Sequence, residues 1–90
     1  MTETPEHRIK RLAMRSMRRG IKEMDLILSA FAGKALGGMD DAELRLYDQL
    51  LEENDHDLYA WINGQVVAPA RYAGLIGQIA AMAQGVARLQ

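Results

Sequence analysis

Apolar residues recur at intervals of three and four along nearly the whole chain, and the runs are cut at short intervals by glycine, proline and Asn-Gly. Ile9, Leu12, Ala13, Ser16 and Met17 form the first stripe, and Ile21, Met24, Ile27, Leu28 and Phe31 the second. Leu44, Tyr47, Leu50 and Leu51 follow, then a short set of Leu58, Trp61 and Ile62, with Trp61 expected as a core anchor. The last stripe is Tyr72, Leu75, Ile76, Ile79, Met82, Ala83 and Val86. Each stripe marks one face of a helix, and Gly20, Gly37-Gly38 and Asn63-Gly64 keep each helix short. No alternating pattern long enough for a strand occurs, since Val66-Val67 is too brief. The expectation is an all-α fold, a compact bundle of five short helices in one domain over 1–90 with an ordered core from about 5 to 87. Ninety residues bury one thin core, so stability should be modest.

Local chemistry predicts the boundaries. Thr4 caps the first helix, Pro5 suits its first position and Glu6 favours the positive end of its dipole. Gly20 ends that helix, and a glycine between two helices is expected to have positive φ. The second helix fades at Ala32-Gly33-Lys34. Asp40 and Glu43 form a capping box, and Met39 and Leu44 a hydrophobic staple. Asp55 caps the fourth helix with Asp57 in its first turn. Pro69 pushes the preceding residues into an extended link and starts the last helix, in which Gly74, Gly77 and Gly85 either allow close packing or let the end fray.

Charge is unevenly placed. The net charge is −1, yet every charged residue from Arg8 to Lys22 is basic, whereas Asp40 to Asp57 is acidic except for Arg45. Either the two ends create a field that orients a partner, or they neutralise each other inside the fold. The chain has no cysteine, which removes thiol catalysis and thiolate metal sites. No apolar run is long enough to span a bilayer and the N-terminal residues lack a secretory h-region, so a cytoplasmic protein without membrane insertion is expected.

Few residues suggest catalysis. His7 and His56 lack a second ligand at zinc-like spacing, so no metal site is expected. Ser16 and Ser29 have no neighbouring histidine, and no glycine-rich phosphate loop follows a strand. The acidic pairs read as helix caps and solvated surface rather than acid–base groups. The arginine-rich first helix admits a nucleic-acid-binding reading, opposed by the net charge, the acidic segment and the absence of interleaved aromatics.

Two motifs stand together. Arg19-Gly20-Ile21-Lys22-Glu23 is an RGxxE pattern followed by Met24-Asp25-Leu26. About thirty residues on, Leu50-Leu51-Glu52-Glu53-Asn54-Asp55-His56-Asp57-Leu58-Tyr59-Ala60-Trp61 is an LLExxDxDLxxW pattern. Over roughly residues 7 to 80 the chain resembles the SdhE family, bacterial relatives of mitochondrial succinate dehydrogenase assembly factor 2. The resemblance implies a five-helix bundle that is no enzyme. It implies an assembly factor that binds the flavoprotein subunit of succinate dehydrogenase, and of fumarate reductase where present, and promotes covalent attachment of FAD. FAD would be the client's cofactor, with none bound stably here, and the free chain would be a monomer.

The family's functional patch, carried over, is Arg19, Gly20 and Glu23, with Arg18 and Asp25 beside it and Asp55 and Asp57 as secondary partner-surface candidates. Arg19 would pair with a client carboxylate or carbonyl, Glu23 would accept from a client donor, and Gly20 would let the client backbone approach. Arg19 and Glu23 lie off the apolar stripes, so truncating either should disturb the core little. The plain alternatives are a helix stop at Gly20 and an internal Arg19–Glu23 ion pair. A generic protein-interaction module, such as a toxin-neutralising partner, is the other reading of the whole chain.

Overall fold

The computed structural model describes the backbone of residues 3–88 and the side chains of residues 3–84. Within them lie α1 (Pro5–Ser16), α2 (Lys22–Ala35), α3 (Asp41–Leu50), α4 (Asp55–Ile62) and α5 (Ala73–Arg88), and no strand. Single 3-10 turns at Leu36–Gly38 and Ala70–Tyr72 extend α2 and lead into α5. No helix among the described residues is long and apolar enough to cross a membrane.

The central helix is α2, which packs against α1, α4 and α5. Its stripe of Met24, Leu28 and Phe31 is fully or almost fully buried, joined by Leu12 from α1, Leu44, Tyr47 and Leu50 from α3, Leu58 from α4 and Leu75, Ile76 and Ile79 from α5. The Phe31 and Tyr47 rings tilt together at 5.6 Å between centroids. Ser16 is the one polar residue in this core among the described side chains. Its hydroxyl donates to the Leu12 carbonyl at 2.8 Å and lies 2.6 Å from the Tyr47 hydroxyl. Ser16 has one proton and gives it to the carbonyl, so Tyr47 is the donor in the second bond.

Several boundaries fall where the local chemistry places them. Thr4 caps α1 by accepting from His7 N–H, and the Asp40–Glu43 capping box is complete in both directions. Met39 and Leu44 both pack onto the core, as a staple requires. Others differ. α1 stops at Ser16 rather than Gly20, which leaves Met17, expected on the buried stripe, 61% exposed. α2 continues through Ala35 and buries Leu36 in the turn beyond. Asn54, not Asp55, caps α4, its side chain accepting from His56 N–H at 2.8 Å. Pro69 precedes a 3-10 turn, and α5 begins only at Ala73. Trp61 is partly buried at the core's edge, its ring centroid 6.0 Å from that of Tyr72, while Phe31, Tyr47 and Tyr72 fill the interior. Gly85 and Val86 lie outside the described side chains.

Candidate functional site

The basic row of α1 faces the acidic row of α3. Arg8 pairs with Asp41, and Arg11 bonds Glu3 at 2.7 Å and Asp48 at 3.1 Å. Arg15 joins Asp48 and, at 2.8 Å, Glu52. The rungs advance in the same direction along both helices, so opposite charges neutralise each other along one seam. Hydrogen bonding from Arg11, followed by the charges of Arg11 and Arg15, holds Asp48 below its ordinary carboxyl value. Asp41 is lowered by Arg8 and Glu3 by Arg11, while Arg11 is raised by Glu3 and Asp48. This seam removes the main support for the nucleic-acid reading, because Arg8, Arg11 and Arg15 already face carboxylates of their own chain.

Arg19 ends the row with a different geometry. Its Nε–H donates to Asp55 Oδ1 at 2.6 Å, Nη1 to the Leu51 carbonyl at 2.6 Å and Nη2 to the Glu53 carbonyl at 2.9 Å. Its backbone N–H donates to Asp25 Oδ1. The guanidinium thus meets carbonyls left open beyond α3 and the acidic first residue of α4. Only 10% of the Arg19 side chain and 15% of that of Asp55 is exposed. This corrects the expectation of an exposed Arg19 that could be truncated with little effect, and its ion-pair partner is Asp55 rather than Glu23. Such a grip on α3 and α4 also accounts for the early end of α1, since a helix continued through Arg19 would carry that residue elsewhere.

Gly20 N–H donates to Asp55 Oδ2 at 2.7 Å. Among the described residues Gly64 is the glycine with positive φ, at 82°, so Gly20 is neither a helix stop nor left-handed. What it supplies is room, because a Cβ there would sit 3.1 Å from Asp55 Oδ2. Asp55 therefore takes both of its oxygens into the RGxxE segment, and the two sequence motifs form one structure.

The remaining candidates divide by exposure. Asp25 is half-buried and serves Arg19. Arg18, Glu23 and Asp57 are exposed, and among the described residues none of them forms a side-chain hydrogen bond or ion pair. Glu23 lies in the first turn of α2, whose N-cap residue, Ile21, provides no side-chain cap. The corner has a buried clasp of Arg19, Asp25 and Asp55 under a polar surface of Arg18, Gly20 and Glu23. The role of Asp55 in holding the corner was missed from the sequence. The matching helical spacing of the basic and acidic rows was the signal that could have found it.

A family model described as "Flavinator of succinate dehydrogenase" matches residues 10–83. The chain belongs to this family. It is 43% identical over 72 residues, 80% of its length, to succinate dehydrogenase assembly factor 2, mitochondrial, of Mycosarcoma maydis. It is 51% identical over 59 residues, 66% of its length, to the protein of that name from Meyerozyma guilliermondii. With assembly factor 2-A of Drosophila willistoni it shares 39% over 79 residues, 86% of its length. The matched regions span 30%, 44% and 50% of those relatives. The family is one of succinate dehydrogenase assembly factors, a name for helper proteins. The expected cytoplasmic location is overturned by the same relatives, which are named as mitochondrial; the features used to place the chain, the lack of a membrane-length apolar run and of a secretory h-region, do not separate the two compartments.

Proposed function

We propose that this chain assists succinate dehydrogenase assembly by binding the enzyme's flavoprotein subunit, and that of fumarate reductase where present, and by promoting covalent attachment of FAD to it. The observation that carries this reading is the flavinator match over residues 10–83, which takes in both halves of the corner. FAD stays the client's cofactor and the free chain acts as a monomer. The exposed Glu23 accepts a hydrogen bond from a client donor, Arg18 meets a client acceptor, and the open face of Gly20 lets the client approach. Arg19, Asp25 and Asp55 act beneath them by holding the corner in shape, and Asp57 flanks it.

Binding that favours one client conformer suffices for such a role. A tenfold preference for the conformer in which the flavin and its acceptor side chain are aligned shifts that equilibrium by about 1.4 kcal/mol. The test uses Glu23→Ala, which removes an exposed carboxylate and should leave thermal unfolding within about 0.5 kcal/mol of the parent. In cells lacking this protein the variant should fail to restore in-gel flavin fluorescence of the denatured flavoprotein subunit, a signal that only covalent flavin gives. Full fluorescence at native expression would remove Glu23 from the contact. A parent chain that itself restores no fluorescence would overturn the proposed function.

A further inference from the structure

Beside the corner, Arg11, Met14, Arg15, Arg18 and Arg19 line an open groove of about 450 Å³. None of these five residues is acidic. Arg11, Arg15 and Arg19 engage their guanidinium groups with Glu3, Asp48, Glu52 and Asp55, and the long methylene stem of an arginine so held can cover apolar surface. Arg18 is exposed and, among the described residues, has no acidic partner. Met14 is 47% exposed, and Lys10, one turn before it, is exposed too. Lys10 and Met14 are one turn apart on α1, and Arg18 follows just beyond the end of that helix.

We propose that this groove docks an acidic, extended segment of the flavoprotein partner, with a carboxylate on Arg18 and a neighbouring apolar side chain against Met14. The inference rests on the flavoprotein reading and adds to it the chemistry of what is bound. Charge complementarity selects the occupant: of the four arginines lining the groove, Arg11, Arg15 and Arg19 already hold carboxylates of their own chain, and Arg18 is exposed with no carboxylate partner among the described residues. The methionine selects a protein segment over a free phosphate, because an unbranched thioether adapts to an apolar side chain and adds nothing to a phosphate. The groove is open, which suits an extended segment.

The experiment measures affinity of the labelled full chain for purified flavoprotein subunit by fluorescence anisotropy at several salt concentrations, with melting curves for every variant. Arg18→Glu should weaken binding about tenfold or more and flatten its salt dependence. Met14→Asp should weaken it comparably, and Arg18→Lys, which keeps the charge, should retain most of the affinity. Glu23→Ala is the comparison. If it weakens binding while Arg18→Glu and Met14→Asp bind like the parent, the groove proposal is overturned and the flavoprotein reading stands. If the parent shows no binding to the subunit, both fall together. Binding of FAD alone that Arg18→Glu abolishes would assign the groove to a phosphate and overturn the acidic-segment proposal.

Discussion

Arg19 Nε and Asp55 Oδ1 lie 2.6 Å apart although their residues are separated by 36 positions. With Gly20 N–H on the other carboxylate oxygen, the pair joins the start of α2 to the start of α4. A motif that reads as a polar corner is thereby a nearly buried junction with a polar surface.

Arg19→Ala should therefore destabilise the chain. It leaves Asp55 without its cation and the Leu51 and Glu53 carbonyls without their donor, at a cost of about 2–4 kcal/mol. For a domain of this size that lowers the melting temperature by more than about 10 °C. Thermal and urea unfolding check it, and a shift within experimental error would mean that the clasp contributes nothing.

Gly20 tests available space rather than backbone sign. In Gly20→Ala the new Cβ sits 3.1 Å from Asp55 Oδ2, so the carboxylate must give by a few tenths of an ångström. The expected loss is about 1 kcal/mol, and Gly20→Val should lose more because its methyls add volume at the same contact. The ordering Val below Ala below Gly in urea midpoint is the measurement, and equal midpoints would refute the close approach.

The periodic stripes were legible because burial of a helical face is a local pattern: Met24, Leu28 and Phe31, or Leu44, Tyr47 and Leu50, announce themselves within a few residues. So did the Asp40–Glu43 box, whose bonds reach three positions. The end of α1 was not legible. Met17, Arg18 and Arg19 are acceptable helix residues, and the stop is imposed by bonds to Leu51, Glu53 and Asp55. Burial of Arg19 was hidden for the same reason, since no local rule says that an arginine will close carbonyls of a distant helix. At the candidate site, Glu23 was named from the motif and Arg18 as its neighbour, and both are exposed, while the structural part of Asp55 needed the tertiary fold.

The buried hydroxyl pair gives a double-mutant test. Ser16→Ala removes the acceptor of the Tyr47 hydroxyl, which then lies buried without a partner, and should cost about 1–3 kcal/mol. Tyr47→Phe added to it removes the stranded donor, so the double variant should be more stable than the sum of the single losses predicts. Strict additivity in denaturant titrations would show that the two hydroxyls do not interact.

Acid should weaken the α1–α3 seam. Asp48, Asp41 and Glu3 have folded values below their ordinary 3.8, 3.8 and 4.5, so the unfolded chain binds protons first as pH falls. Their stabilising contribution is complete above the unfolded carboxyl range. It declines from about pH 5 downward and is gone below the lowered folded values. Asp48→Asn should flatten this decline in melting temperature between pH 5 and 3, at about those limits. An unchanged profile would place the acid sensitivity elsewhere.

The Arg19 clasp also sets when the corner comes into being. Its side-chain partners, Leu51, Glu53 and Asp55, are all synthesised more than thirty residues after it, by separations of 32, 34 and 36. A growing chain that ends at Phe31 already contains the complete RGxxE sequence, and Asp25 with it, but lacks every group that accepts from the guanidinium of Arg19. The shape of this corner is thus a property of the finished fold, and an unfinished or truncated copy carrying the motif cannot adopt it.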